Sequence, residues 1–476
     1  MTVLLCMALV AGFSVLLVFA VNLLVMAVLA HRHRPPIVAP LPPEDRLPAV
    51  CVQIPAYNER HVIRRAITAA AALDWPADRL SIQILDDSTD DTTAIARAEV
   101  ERLAADGVDI RLIRRGDRTG YKAGALAHGL TLTGAPFVAV LDADFVPSPD
   151  FLRACMAMLL ADGRLAFVQT RWGHLNARAN LLTRLQALLL DAHFRIEQSA
   201  RAAAGLILPF NGTGGVWRRA AIEAAGGWEH DTLTEDLDLA VRAHLAGWRG
   251  AWRPDVVVPG ELPETLTAWR TQQFRWAKGF AQCTRKLLPR LWAGDLPTGR
   301  KLAATLMMAN GAVWPATVLV ILTSLTLAAA ELTPPVAVAL FGMAAGGLGL
   351  LATGTALVAG RDRAADPLAA RTLLLLPAVI GLNAGLLLSN TRAVFEGLAG
   401  RSSAFVRTPK RGGAAACAYR TGDDSGFPEL ATVGAATALL AGNAGWYSPL
   451  LLLSLAGLGA SGVALALERL RRPAAP

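Results

Sequence analysis

Two pairs of aspartates follow apolar, strand-like runs of the sequence, the position where open α/β sheets bind their ligands. Asp86 and Asp87 end one run, and Asp142 and Asp144 end a later one. If the second run stays extended, Asp142 and Asp144 point to the same side and face one cation together. Carboxylate oxygens suit Mg²⁺ or Mn²⁺, and such a metal would neutralise a departing diphosphate. A single aspartate at a strand end has a simpler explanation, because the residue also favours turns.

A third acidic pair, Glu235 and Asp236, opens a helix-like segment. Thr234 is the predicted N-cap, and a helix dipole favours acidic residues in the first turn, which explains the pair structurally. The catalytic interpretation makes Asp236 the general base that removes a proton from an acceptor hydroxyl. A helix N-terminus is expected to lower the pKa of Asp236 and to keep it ionised.

Two segments between these acidic pairs are suited to contact a phosphate or a sugar. Lys122 lies near a helix start, where an ammonium and free backbone N–H groups meet a phosphate, although exposed helical lysines are common. The glycine-rich run 210–215 either lets the backbone approach a ligand closely or forms a plain turn.

An amphipathic, helix-like segment carries Gln272, Arg275 and Trp276 just before the chain becomes apolar. Arg275 suits a diphosphate and Trp276 suits the face of a sugar ring. Both residue types also anchor helices at a membrane interface, so this alternative stays open.

The elements that must position these residues alternate between strand and helix. Alternation of this kind predicts a mostly parallel sheet covered on both faces. The predicted strands are 49–55, 81–86, 110–114, 137–142 and 165–170, and the predicted helices are 60–73, 92–105, 123–132 and 150–160.

Composition places this domain in a membrane protein. Hydrophobic residues make up 53% of the chain and charged residues 18%, too apolar a balance for a single soluble domain. Much of the net charge of +8 lies beside apolar runs, which is typical of cytoplasmic loops and lipid surfaces rather than of nucleic-acid binding. The five cysteines are scattered without a C-x-x-C pair, which argues against disulfides and zinc.

The apolar run 3–30 is long enough to span a bilayer. A signal peptide is the alternative, but no basic residue precedes the run and a basic cluster follows it, so we predict a retained helix with residue 31 onward in the cytosol. Later candidate spans are 302–330, 336–359, 372–388, 430–446 and 450–467. Basic loops on both sides of 372–388 conflict with a single crossing, so the predicted helix number stays at five or six.

Six short motifs occur in order along the chain: Pro55-Ala56-Tyr57-Asn58-Glu59, Asp86-Asp87, Lys122-Ala123-Gly124, Asp142-x-Asp144, Thr234-Glu235-Asp236 and Gln272-x-x-Arg275-Trp276. In this order they resemble the processive branch of glycosyltransferase family 2, and within it the cellulose synthase-like proteins of the mannan and glucomannan synthase type. The segment Phe405-Val406-Arg407-Thr408-Pro409-Lys410 is similar to the gating loop of cellulose synthases, which lies over the donor site. The resemblance covers residues 50–411.

The resemblance implies an α/β GT-A fold, Rossmann-like and mostly parallel, in a cytosolic domain inserted between transmembrane helices. It also implies inversion at the anomeric carbon and a donor bound with Mg²⁺ or Mn²⁺. Asp236 would be the base. The nucleotide-sugar side would comprise Tyr57, Glu59, Asp87, Lys122, Asp142, Asp144 and Arg275, with Asp142 and Asp144 on the metal. The acceptor side would comprise Phe210, Asn211, Gly212, Thr213, Glu235, Gln272 and Trp276, and the gating-like loop Phe405, Thr408 and Lys410.

The leading functional hypothesis is elongation of a β-linked polysaccharide from GDP-mannose or UDP-glucose at an inner or plasma membrane. Alternatives are a single addition onto a membrane lipid and a non-enzymatic transporter or nucleotide-sugar sensor. Glycan or lipid acceptors and membrane lipids are the expected partners, and no nucleic acid is expected. The predicted units are 1–34 membrane helix and basic flank, 35–48 proline-rich linker, 49–260 catalytic domain, 261–300 interface helices, 301–391 membrane or interface helices, 392–428 gating-like loop and 429–476 membrane helices.

Overall fold

The computed structural model describes residues 1–33, 40–361, 368–403, 407–408, 410 and 412. The predicted spans 430–446 and 450–467 and the side chain of Phe405 lie outside these residues. A sheet of seven strands forms the centre of residues 50–260. The strands are β1 Val50–Ala56, β2 Leu80–Asp86, β3 Ile110–Arg114, β4 Phe137–Val140, β5 Leu165–His174, β6 Gly215–Arg218 and β7 Arg249–Gly260.

The sheet order is β3-β2-β1-β4-β6-β5-β7. Only β6 runs antiparallel to its neighbours β4 and β5, which confirms the predicted mostly parallel sheet. The five predicted strands are present, whereas β6 and β7 were not predicted. The β6 strand has four residues, and β7 contains a proline and pairs with β5 through register shifts, so neither has a clear period-two pattern.

Helices cover both faces of the sheet. They are α2 Ile63–Ala71, α3 Thr92–Ala105, α4 Tyr121–Thr131, α5 Phe151–Ala161, α6 Leu181–Ala192, α7 Ser199–Ala203, α8 Arg219–Ala224 and α9 Glu235–Leu245. Buried apolar residues form a core on each face, one including Ile54 and Phe151 and the other including Phe167 and Trp217. These two cores fix the strand ends that carry the acidic residues.

Helix α1 Thr2–Ala30 precedes the sheet, and in the described part of the chain seven further α-helices follow it. They are α10 Leu266–Ala293, α11 Thr298–Met308, α12 Val313–Ala329, α13 Val336–Gly360, α14 Ala369–Leu374, α15 Leu376–Ala384 and α16 Leu387–Leu398. Within the described ranges, three helices are long and apolar enough to cross a membrane, namely Thr2–Ala30, Thr298–Ala329 and Val336–Gly360.

The predicted span 372–388 is not one straight helix. Arg371–Ala384 and Leu387–Leu398 meet at a bend of 51°, as in a broken span or a re-entrant segment. The bend is compatible both with a broken crossing and with the sequence-based alternative in which the segment enters the membrane without crossing it, so the topology stays a prediction. The α16 part packs against α10, which also contacts α9, and so connects the bent pair to the part of the chain that contains the sheet.

Candidate active site

The ammonium of Lys122 is at the centre of the candidate site. Lys122 Nζ lies 2.5 Å from Asp142 Oδ1 and donates to the backbone oxygen of Gly212 at 2.9 Å. Although burial opposes its charge, the carboxylates of Asp142 and Glu235 raise the pKa of Lys122. The helix α4 that carries it begins with strained backbone, since Tyr121 has φ +49°. The contacts of Lys122 Nζ with Asp142 and Gly212 therefore fix a cation beside the predicted reacting centre.

The Asp142-x-Asp144 segment does not stay extended, which corrects the sequence-based geometry. Strand β4 ends at Val140, and Phe145 N–H donates to Asp142 O at 3.0 Å in a turn. The two carboxylates then take different partners. Asp142 is next to Lys122, while Asp144 Oδ2 accepts from the Glu261 amide at 2.9 Å.

An ammonium occupies a cation position at Asp144. Lys410 Nζ lies 2.8 Å from Asp144 Oδ2 and 2.6 Å from the backbone oxygen of Glu261. Despite the opposing effect of burial, Asp144 and, more weakly, Glu59 and Asp142 raise the pKa of Lys410. Carboxylate and carbonyl oxygens are the donors that Mg²⁺ and Mn²⁺ prefer, so the residues present fit such an ion.

Burial has the largest effect on the pKa of Asp236 and raises it, whereas the helix position led us to expect a lowered pKa. Loss of water and, second, the charge of Glu235 raise the pKa of Asp236 to about 7. The Lys122 charge and the backbone N–H groups of α9 oppose that shift without overcoming it. An aspartate with this pKa is a stronger base near neutral pH than an exposed one.

The loop before β6 lies directly over Asp236. Gly212 has φ +79°, and a Cβ built there would be 3.1 Å from Asp236 Oδ2 and 3.5 Å from Lys122 Nζ. A side chain at this position would enter the space between the two charged groups. The glycine-rich run therefore makes a close backbone approach to the reacting centre rather than a plain turn.

Two predicted acceptor residues of this loop, Phe210 and Thr213, have buried side chains. Phe210 is 1% exposed and packs edge-on against Phe167 and Trp217, so its ring supports the loop from the core. Thr213 is fully buried, and its Oγ1 accepts from the Asp142 amide at 2.8 Å. Thr213 therefore fixes the backbone at Asp142, and the acceptor roles of Phe210 and Thr213 stay predictions.

Helix α10 packs against the start of α9. Thr234 takes the predicted N-cap position, but its side chain makes no capping bond and lies 3.4 Å from Cys283 Sγ of α10. A Cβ on Gly279 would meet Thr234 at 2.5 Å, so the two helices are in close contact.

Gln272 and Trp276 are half-buried on the same helix as Arg275. Burial lowers the pKa of Arg275, and the nearby carboxylates of Glu235, Asp142 and Asp236 oppose that shift.

Arginines surround the predicted nucleotide residues. Asp87 Oδ1 accepts from Arg115 Nε at 3.0 Å, and a second bond joins Asp87 Oδ2 to the same guanidinium. The Arg118 guanidinium lies 3.3 Å from the ring centroid of Tyr57 and 4.9 Å from that of Tyr121. Asp87 and the Tyr57 ring thus each have a guanidinium partner, and their predicted role toward a nucleoside stays a prediction.

Glu59 pairs with the gating-like segment. Arg407 Nη1 lies 3.1 Å from Glu59 Oε2, and burial raises the pKa of Glu59 despite this guanidinium. Thr408 is 6% exposed. The described part of the segment, with Lys410 at Asp144, therefore covers the acidic end of the site.

One other acidic group was not identified from the sequence. Glu229, Asp231 and Asp238 have carboxylate oxygens within 4.8 Å of one another in the described part of the chain. Lys286 Nζ lies 2.6 Å from Asp231 Oδ1 and 2.9 Å from Asp238 Oδ1, and it also bonds Glu229. The ammonium of Lys286 and the guanidinium of Arg242 already pair with this group, so we assign it a structural role.

Residues 48–279 match the family model described as glycosyltransferase like family 2. They form a glycosyltransferase family 2 domain.

Relatives of this glycosyltransferase domain occur in plants. The chain is 47% identical over 248 residues to glucomannan 4-beta-mannosyltransferase 2 of Arabidopsis thaliana, covering 51% of this chain and 46% of that protein. It is 45% identical over 259 residues to glucomannan 4-beta-mannosyltransferase 1 of Oryza sativa subsp. japonica, covering 52% of this chain and 50% of that protein. The matched part thus spans about half the length of each relative.

A solved structure confirms the GT-A-like fold of the domain. The mannosyltransferase PcManGT from Pyrobaculum calidifontis, in complex with GDP-Man and Mn²⁺, superposes with a TM-score of 0.57 at 23% identity. The match covers 84% of this chain and 100% of that one.

Sequence reasoning missed several residues of the glycosyltransferase domain that contact the predicted ones. Arg115 and Arg118 were not singled out, although both precede Lys122 closely in a glycine-containing segment. Glu261 and Arg407 were also missed as partners. Their contacts join segments far apart in the chain, for which the sequence offers no signal.

Proposed function

We propose that this chain transfers a mannosyl group from a nucleotide sugar to a glycan hydroxyl, with inversion, and so elongates a β-linked mannan or glucomannan. The observation that carries the proposal is the arrangement around Gly212. Asp236, with a pKa of about 7, and the Lys122 ammonium lie on one side of an open glycine backbone. A base and a cation are the two groups that a single displacement at a sugar phosphate requires.

In this reaction the acceptor hydroxyl attacks the anomeric carbon while Asp236 removes its proton. Lys122 and Arg275 stabilise the charge that develops on the leaving diphosphate. A Mg²⁺ or Mn²⁺ ion held by Asp142 and Asp144 would supply further positive charge there. One displacement without a covalent intermediate inverts the anomeric configuration.

The names of the relatives favour a mannosyl donor over the glucosyl alternative that the sequence left open. As the donor for this chain we propose GDP-mannose. Tyr57 and Arg118 would lie beside the nucleobase, and Asp87 beside the ribose or the nucleobase. Gln272 and Trp276, on the helix that carries Arg275, would line the acceptor. Glu59 would complete the donor side through the gating-like segment that holds Arg407 and Lys410.

Long apolar helices support a multi-pass arrangement in an inner or plasma membrane, with residues 49–260 as a cytosolic catalytic domain. In this arrangement 1–34 and 301–391 form membrane or interface helices, 261–300 contains the interface helix α10, and 392–428 contains the gating-like loop. Glycan elongation is preferred to single addition onto a lipid because the relatives are named for glucomannan. Helix α10 would then lie between the catalytic centre and the membrane.

The decisive experiment incubates membranes containing the full chain with radiolabelled GDP-mannose or UDP-glucose and Mn²⁺. We expect a polymer that is labelled from GDP-mannose and sensitive to β-mannanase. A product limited to one labelled glycolipid would replace elongation by lipid glycosylation. Absence of transfer from both donors would refute the proposal.

A further inference from the structure

A π-helical turn lies beside the acceptor-side loop. Helix α6 ends at Ala192, and residues His193–Gln198 form a π-helix before α7 begins at Ser199. Such turns have strained hydrogen bonding and occur frequently at functional sites. The extra residue per turn displaces side chains from ordinary α-helical positions, and His193 is the first residue affected.

The imidazole of His193 connects this turn to the loop. His193 Nδ1 lies 3.2 Å from Glu197 Oε2, and His193 Nε2 lies 3.2 Å from Asn211 Oδ1. Both partners are oxygens, and with a proton on Nε2 the ring donates to Asn211 Oδ1. Donation from Nε2–H holds Asn211 Oδ1 toward the ring and turns its amide nitrogen away.

The backbone of Asn211 is fixed independently of its side chain. Its N–H donates to Gln169 Oε1 at 2.8 Å, and the next residue is Gly212, which adjoins Asp236. Asn211 Nδ2 is buried and, within the described residues, has no hydrogen-bond partner. A buried amide donor without a partner, next to the glycine that adjoins the proposed base Asp236, indicates a place for a ligand oxygen.

We propose that His193 is a positioning residue that orients the Asn211 amide toward a hydroxyl group of the acceptor sugar. The hydroxyl accepts from Asn211 Nδ2–H and the sugar is held with its attacking oxygen at Asp236. Glu197 keeps the imidazole in place. This inference rests on the proposed glycosyl transfer, because it needs a sugar acceptor at this loop.

The test compares His193→Ala, His193→Gln and Asn211→Ala with the parent chain in membranes. With GDP-mannose and a soluble manno-oligosaccharide as substrates, we expect His193→Ala and Asn211→Ala each to raise the acceptor KM about five- to tenfold, the effect of one lost hydrogen bond. The donor KM is expected to stay unchanged. His193→Gln, whose amide also donates to Asn211 Oδ1, is expected to restore most of the acceptor affinity.

A matched control is His174→Ala, which removes another histidine–carboxylate contact, 3.1 Å to Asp191, that does not involve this loop. We expect it to leave the acceptor KM unchanged. Equal changes in donor and acceptor KM, or no recovery with His193→Gln, would overturn the inference.

Binding of the manno-oligosaccharide without donor, measured by calorimetry on purified protein, separates this inference from the proposed function. Weaker binding in His193→Ala than in the parent supports the positioning role even if no transfer is detected. Equal binding in the two proteins overturns it, including when the parent transfers mannose normally.

Discussion

Gly212 and Asp236 lie close to each other across the candidate site: a Cβ built on the glycine would be 3.1 Å from the carboxylate Oδ2. The two residues come from the loop before β6 and from the first turn of α9. Their proximity leaves room for a ligand only because residue 212 has no side chain. A left-handed backbone, with φ +79°, adds a second reason for glycine at this position.

Gly212→Ala is therefore expected to abolish most transfer activity, by about a hundredfold or more, because the methyl group enters the reacting space. Gly227→Ala is the matched control, since Gly227 has φ +80° and nothing within 4 Å of a built Cβ. Both changes cost about 1–2 kcal/mol of backbone strain. Initial rates at equal amounts of folded protein distinguish crowding from strain, and equal activity of the two variants would contradict the crowding argument.

The pH dependence of kcat/KM should report the ionisation of Asp236. Its raised pKa means that the carboxyl is protonated, and unable to act as a base, below about pH 7. We expect the rate to rise about tenfold per pH unit below that value and to level off above it. Because the Glu235 charge contributes to the shift, Glu235→Gln should move the rise to lower pH. A rise that stays in place in this variant would argue against their coupling.

Removal of divalent metal is expected to stop transfer, and Mn²⁺ or Mg²⁺ should restore it. Lys410 Nζ now lies 2.8 Å from Asp144 Oδ2, where it would compete with the ion. Lys410→Met is expected to lower the Mn²⁺ concentration for half-maximal rate by about tenfold, which corresponds to about 1.4 kcal/mol. Lys301→Met, beside Trp292, serves as the control. An increased metal requirement in Lys410→Met would show that the lysine assists metal binding.

A buried ion pair joins α10 to α16 and contributes to stability. Lys278 is fully buried, and its Nζ lies 2.8 Å from Glu396 Oε2. Glu396→Gln leaves the lysine charge poorly compensated and should cost about 3 kcal/mol, seen as a lower midpoint of thermal unfolding in detergent. Glu223→Gln, which breaks an exposed pair with Arg219, should change the midpoint little. Equal midpoints for the two variants would refute the role of the buried pair.

The positions of Asp87, Asp142, Asp144 and Asp236 were predictable because strand ends and helix starts can be identified from local patterns. Parallel strands bring such ends to one edge of a sheet, as observed for β1, β2 and β4. The turn that separates Asp142 from Asp144 was not predictable, because it depends on Thr213, which bonds the Asp142 amide from 71 residues away. Burial, which also comes from distant segments, explains why the pKa of Asp236 is raised rather than lowered.

The contacts that lysine and arginine side chains make with distant residues were also not predictable from the sequence. The Lys410–Asp144 contact joins residues 266 positions apart, and no spacing rule connects them. Arg118 over Tyr57 depends on a loop conformation that includes left-handed residues at 120 and 121. The carboxylates were thus predicted by position, while the cations that surround them required the folded structure.

The central claim, that Asp236 is the base of a glycosyl transfer, is tested most directly by Asp236→Asn. Transfer from radiolabelled GDP-mannose and binding of GDP-mannose are measured on the same purified protein, with the exposed Asp255→Asn as control. The account predicts that transfer falls by about a thousandfold or more while donor binding is retained. Turnover at the parent rate in Asp236→Asn would contradict it.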